Sequence, residues 1–179
     1  MNLTVKEISL VAIFPALMAA TAGISIPLGS LPAISLQTLF VFLGALLLGP
    51  KLGSISIMIY IFMGAIGLPV FSNYHGGIAV ILSGSGGFLF GFIISTIFIG
   101  FMKNIKFINK RYSMLFVILV IGNIIIYMCG ATYMAYLTNA TFFSILAIFT
   151  PYFLGDFLKI ITVLYVYSRI RSHLTYEHA

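Results

Sequence analysis

Ser113 to Tyr133 reads Ser-Met-Leu-Phe-Val-Ile-Leu-Val-Ile-Gly-Asn-Ile-Ile-Ile-Tyr-Met-Cys-Gly-Ala-Thr-Tyr, 21 residues without one Asp, Glu, Lys, Arg or His. A helix needs about 20 mostly apolar residues to cross the hydrocarbon core of a bilayer, so this stretch predicts a membrane-spanning helix. The rest of the chain has the same character. Of its 179 residues 61% are hydrophobic and only 7% charged, with a mean hydropathy of +1.19. A soluble domain carries about a quarter charged residues, because a water-facing surface requires them. The chain reads as an integral membrane protein.

Working outward, polar punctuation divides the sequence into six such stretches: Ile8 to Ile26, Leu36 to Leu48, Leu52 to Leu68, Gly84 to Met102, Ser113 to Tyr133 and Pro151 to Arg169. The second is short for a span. The breaks fall at turn-forming residues, including Gly49-Pro50-Lys51, Pro69, Asn73 to Gly77 and Pro151. The expected architecture is an all-α membrane protein of six transmembrane helices, with residues 1–179 forming a single substrate-binding domain. Lys6, Lys51, Lys103, Lys106, Lys110, Arg111, Arg169 and Arg171 fall on one side of that arrangement. The opposite loops, Pro27 to Ser35, Pro69 to Leu82 and Met134 to Thr150, contain no Lys or Arg. Cations in short loops stay on the cytoplasmic side, so both termini are expected to be cytoplasmic. The net charge of +6 is then a membrane-surface feature, and no nucleic-acid partner is implied. Lys6 ahead of an apolar run ending Ala20-Thr21-Ala22 resembles a cleavable signal. Glu7 and the continuation of the run through Ile26 argue instead for a retained first span.

Asp156 and Lys159 stand out, because they lie inside the last apolar stretch. If Pro151 opens that helix, a rise of about 1.5 Å per residue sets Asp156 roughly 7 Å and Lys159 roughly 12 Å below its outer end. Their i, i+3 spacing places both on one helix face, with Tyr152 one turn above. Ionisable groups at such depth are costly unless they pair or face a polar cavity. Two readings follow: a self-neutralising ion pair that fixes packing, or an acceptor and donor set for a small ligand with a carboxylate and N–H groups. The expected outward loops add hydrogen-bonding and Gly-rich segments: Gln37-Thr38, Ser72 to Gly77, and Ser83 to Gly87. In the first stretch Ala12, Ala16 and Ala20 recur at i, i+4, a small-residue face that lets another helix approach closely, either within the bundle or from a partner.

Other chemistries find little support. The only acids are Glu7, Asp156 and Glu177, so no paired carboxylates or Ser/His/Asp set can be assembled, and no catalytic residue is expected. Nothing matches a nucleotide-binding GxxxxGK[ST] loop. Cys129 is the only cysteine, which excludes a disulfide scaffold, and reads as a small buried hydrophobe. His75 reads as a solvated loop residue, and His173 and His178 as tail residues, so no metal site is expected.

Taken in order, Ile24-Ser25-Ile26-Pro27, Ile34-Ser35-Leu36-Gln37-Thr38-Leu39-Phe40-Val41 and Leu46-Leu47-Leu48-Gly49-Pro50-Lys51-Leu52-Gly53 form a recognisable pattern. Gly64-Ala65-Ile66-Gly67-Leu68-Pro69-Val70-Phe71, Gly76-Gly77, Gly86-Gly87 with Gly91-Phe92, and Gly155-Asp156-Phe157-Leu158-Lys159 extend it. The set resembles the BioY family, the biotin-binding S components of energy-coupling factor (ECF) transporters, from about Leu10 to Arg171. Between Arg111 and Phe149 the likeness rests mainly on hydropathy. Many relatives read Gly-Pro-Thr-Gly-Gly where this chain has Ser83-Gly84-Ser85-Gly86-Gly87.

The resemblance implies an ECF S-component-like bundle in the bacterial plasma membrane that captures biotin from outside. It would deliver the vitamin inward with a transmembrane coupling (T) component and two ATPase subunits. Biotin is then a transported ligand, with no cofactor. The resemblance carries substrate contacts over to Asp156, Lys159 and Asn73, the outward segments and the turn above Asp156 add Tyr74, Gln37, Ser85 and Tyr152 as candidate substrate-binding residues, and Ala12, Ala16 and Ala20 become a partner-docking face. Asp156 and Asn73 would bond the ureido ring, and Lys159 either the carboxylate or the ureido oxygen. The rival readings are an S component for another small vitamin, an intramembrane enzyme, which would need a catalytic dyad, and a membrane chaperone in which Asp156 and Lys159 hold only each other.

Overall fold

The computed structural model describes residues 4–28, 31–105 and 111–176. Gly29, Ser30, Lys106, Lys110, Glu177 and His178 lie outside the described residues, as does the side chain of His173.

Helix α1, Val5–Ala20, starts where the chemistry of Thr4 and Glu7 tells it to. Glu7 N donates to Thr4 Oγ1 (3.3 Å) and Thr4 N donates to Glu7 Oε2 (2.9 Å), a reciprocal cap that satisfies two of the helix's free N–H groups. Its inner face buries Val11, Phe14, Pro15 and Met18. The helix stops at Ala20, short of the expected Ile26. Residues Ser25–Leu28 form strand β1, paired antiparallel with β2, Leu31–Ser35, in the register Ser25↔Ser35 and Ile26↔Ile34. The reason is local: Gly23 weakens a helix, Pro27 removes a donor and biases Ile26 toward extended backbone, and Ile24 and Ile26 are β-branched. Hydropathy counts these residues as apolar and does not register their backbone preference. An otherwise helical bundle therefore carries a small hairpin at one end.

Helix α2, Gln37–Ala65, contains a break at Gly49 (φ 75°, ψ −171°), a backbone position a side chain would strain. Pro50 then starts the second half, a position where its fixed φ is preorganised and its missing N–H costs nothing. The two halves fold back on each other. Gln37 Nε2 bonds to the Tyr60 hydroxyl, although 23 residues of unbroken helix would set these groups roughly 35 Å apart. The expected division between Leu48 and Leu52 thus appears as a helical hairpin pivoting on Gly49-Pro50.

A 3-10 turn at Ser72–Tyr74 and a short helix α3, Ile78–Leu82, follow. Next come α4, Gly86–Lys103, α5, Tyr112–Thr138, α6, Phe142–Ile148, and α7, Thr150–Tyr176. Helix α6 occupies what reads in the sequence as a loop: Asn139, in left-handed backbone (φ 53°), ends α5, and Thr141 caps α6 by accepting from Ser144 N (3.4 Å). Among the described residues α2, α4 and α5 are each long and apolar enough to cross a membrane, and α6 with α7, taken as one bent element, makes a fourth. Helix α4 packs between α2 and α5. Phe62, Phe101, Phe143 and Leu154 stand exposed on the outside of the bundle, as expected of side chains that meet lipid.

Apart from Lys159, the described cations of the long helices from α2 onward gather away from the hairpin. Lys51 sits beside the Gly49 break and acts electrostatically on Glu7, while Lys103, closing α4, acts on Arg171 near the end of α7. Arg111 precedes α5. Gln37, Ser85 and Asp156, near the starts of α2, α4 and α7, lie toward the opposite end.

Gly100 fixes this packing, because a Cβ there would fall 2.4 Å from Pro50 N and 2.7 Å from the Gly49 carbonyl carbon. Gly100→Ala is expected to cost about 1–3 kcal/mol through overpacking, read as a lower thermal midpoint of the detergent-purified protein. An unchanged midpoint would show that α4 and the Gly49 break do not bear on each other.

Candidate functional site

Asp156 lies on the second turn of α7, 3% exposed, between α2 and α5. Lys159, one turn on, reaches back so that Nζ lies 2.8 Å from Asp156 Oδ1. Thr38, from the first turn of α2, links the two by donating to Asp156 Oδ1 (3.2 Å) and accepting from Lys159 Nζ (3.1 Å). The remaining oxygen, Oδ2, accepts from the Tyr127 hydroxyl on α5. Three helices are therefore tied at one carboxylate. An ammonium carries three protons, of which Asp156 and Thr38 take two.

These groups do not sit in a sealed core. They line a cavity of about 390 Å³ whose wall includes Pro32 to Ser35 of the hairpin, within the size range typical of small-molecule sites. Ile34, Phe88, Leu89, Phe92 and Ile126 supply apolar wall, and Gln37, Asn73, Ser85 and Tyr152 supply polar atoms.

Most of those polar atoms are already committed. Gln37 Oε1 accepts from Ser35 Oγ and Ser72 Oγ, both at 3.1 Å, and Nε2 bonds to Tyr60, whose hydroxyl donates to Val70 O at 3.0 Å. Gln37 thus locks the hairpin, the 3-10 turn and both halves of α2 around the cavity. Tyr152 OH donates to Pro32 O (2.5 Å), tying α7 to β2. Asn73 adopts left-handed backbone (φ 59°), its N donates to Ala22 O (2.9 Å) and its Oδ1 accepts from Ser25 Oγ (2.7 Å), which leaves the side-chain N–H groups available. Ser85, just ahead of α4, lines the cavity as well.

The structure therefore gathers Asp156, Lys159, Asn73, Gln37, Ser85 and Tyr152 around one space. Tyr74 stands apart from the lining, 59% exposed with its ring against Gly23. Ala12, Ala16 and Ala20 are all exposed, on the face of α1 opposite Phe14 and Met18. No cluster of three or more metal-ligating side chains occurs among the described residues.

Tyr127 was not singled out from sequence. A signal existed: Asn123 and Tyr127 are the polar pair at i, i+4 inside a charge-free span, and both are buried. Polar groups in such a span face the interior by default. His75, read from sequence as a solvated loop residue, also borders the cavity.

The family model described as the BioY family matches residues 1–176. The chain belongs to the BioY family. It is 36% identical over 169 residues to the probable biotin transporter BioY of Pyrococcus horikoshii, covering 94% of this chain and 98% of that one. Against the biotin transporter BioY of Thermotoga maritima the identity is 34%, covering 93% and 96%. A crystal structure of the S-component for biotin from an ECF-type ABC transporter superimposes with a TM-score of 0.88 at 28% identity, covering 96% of this chain and 95% of that one. The fold is that of a BioY-family, ECF S-component-like membrane bundle.

Removing one partner of a buried ion pair strands the other's charge and costs about 3–5 kcal/mol, whereas removing both costs far less. Asp156→Ala is therefore expected to lower the thermal midpoint more than the double variant Asp156→Ala/Lys159→Ala. A double variant less stable than either single variant would mean that the two charges are not paired.

Proposed function

We propose that this chain is the biotin-binding S component of an ECF-type importer, acting as a single substrate-binding domain. The observation that carries this reading is a preformed Asp156–Lys159 pair (2.8 Å) on the wall of an open cavity. A pair needed only for packing would gain nothing from adjoining empty space. Biotin's ureido group offers two N–H donors and one carbonyl acceptor, which suit a carboxylate beside an ammonium, and the apolar wall suits its sulfur-containing ring and aliphatic chain. Asp156 and the Asn73 amide bond the ureido ring, with Thr38 and Tyr127 holding Asp156 in place.

The distribution of cations supports six crossings with both termini cytoplasmic, which opens the cavity to the outside of the bacterial plasma membrane. Without a nucleotide-binding loop of its own, the chain takes its energy from partners. A T component and two ATPase subunits reorient it and release biotin inward, with Ala12, Ala16 and Ala20 as the docking face.

Calorimetric titration of the detergent-purified chain with biotin, with dethiobiotin and thiamine as controls, tests the reading. Asp156→Ala, Asp156→Asn and Lys159→Ala are each expected to weaken biotin binding by about one to two orders of magnitude, since hydrogen bonds to charged groups are worth about 1.5–3 kcal/mol. Absence of biotin binding in the native chain, or unchanged affinity in all three variants, would refute it.

A further inference from the structure

The charges lining the cavity sum to zero. Asp156 and Lys159 on α7 are the only permanently charged side chains among its described lining residues, and they hold each other. A ligand with a carboxylate brings a third charge into a largely apolar space, and a buried anion is costly unless it meets a cation or strong donors.

The donors on the remaining walls are nearly exhausted. Ser35 and Ser72 hydroxyls are given to Gln37, Ser83 Oγ to Val80 O (2.7 Å), and the Tyr152 and Tyr127 hydroxyls to Pro32 O and Asp156. Ser85 and the Asn73 amide can add neutral hydrogen bonds and no charge. The lining contributed by β2, α2, α3 and α4 contains no titratable group. Besides the α7 pair, only Tyr127, Tyr152 and His75 can change charge, and of these only His75 can become a cation.

His75 is exposed and borders the cavity. Its backbone is pinned by Phe71 N donating to His75 O (2.9 Å), and its ring Nδ1 lies 2.9 Å from Ser72 O. A carbonyl oxygen can only accept, so the ring proton is on Nδ1 and Nε2 carries the lone pair while the ring is neutral. In that state Nε2 repels a carboxylate. A second proton turns Nε2 into a charged donor without moving the ring.

We propose that His75 is the residue that reads the ligand's carboxylate, leaving Lys159 to the ureido end. This rests on biotin being the ligand. It predicts that discrimination between biotin and its uncharged amide depends on pH and comes from this one side chain.

The experiment is calorimetry on the full chain with biotin and biotinamide across about pH 5.5 to 8, for the native protein and for His75→Ala, His75→Gln and His75→Arg. The ratio of the two affinities on one preparation does not depend on how much of a variant is folded. In the native chain biotin is expected to be preferred by about three- to tenfold at the acidic end, a partly solvated charge contact being worth less than a buried one, and the preference should fade as pH rises. His75→Ala and His75→Gln should abolish the pH-dependent preference, and His75→Arg should restore it at every pH. A ratio and pH profile unchanged in all three variants would overturn the assignment. If neither compound binds the native chain, the biotin reading itself fails and this assignment falls with it. Binding of both compounds at equal affinity in the native chain leaves biotin binding standing and refutes the carboxylate contact alone.

Discussion

An acid and a base held 2.8 Å apart inside an apolar helix are the constraint around which this molecule is arranged. Either charge alone would make α7 expensive to place in a bilayer. Together, with Thr38 bridging them and Tyr127 on the second carboxylate oxygen, they form a neutral polar unit that ties α2, α5 and α7 at one point. The same unit keeps unused hydrogen-bonding capacity on its cavity side. A carboxylate can accept more than the three bonds it has, and the ammonium retains a proton. Structural neutrality and the proposed ligand recognition draw on one set of atoms, so the two readings of the pair offered by the sequence do not exclude each other.

The rest of the bundle keeps that unit apart from the charged end. The break at Gly49-Pro50 folds α2 back on itself, which returns Tyr60 to the level of Gln37 and lets one glutamine join hairpin, turn and helix into a rim. The same break carries Lys51 to the opposite end. Close packing of Gly100 against the break holds α4 in register, so Ser85 and Phe88 meet the cavity while Lys103 lies among the cations. A site at one end and anchoring charge at the other is the layout expected of a protein that receives a solute on one face of a membrane and is worked on from the other.

The sequence conveys the long-range plan well and the local detail less so. Apolar run length locates the long helices, and the depth of Asp156 and Lys159 within a span points to the candidate site, because burial of charge is costly whatever the fold. Gly49-Pro50 is legible for a similar reason, since no helix passes it undisturbed. The Ser25–Ser35 hairpin is missed because Ile24 to Pro27 score as apolar, although their backbones prefer extension. Tyr127 and Tyr60 are missed for another reason: each acts through a partner distant in sequence, Asp156 and Gln37, and only Tyr127 has a neighbouring signal, Asn123 one turn before it. Tyr74, read from the sequence with the other polar residues of its loop, stands outside the cavity lining, with left-handed backbone and its ring against Gly23.

The central claim is that the Asp156–Lys159 pair is a recognition unit in waiting. A crystal structure of the chain grown with biotin tests it most directly. The account predicts ureido atoms within hydrogen-bonding distance of both side chains, inside the cavity walled by Phe88 and Ile126. Biotin seated elsewhere, with the pair still closed on itself and the cavity vacant, would contradict it.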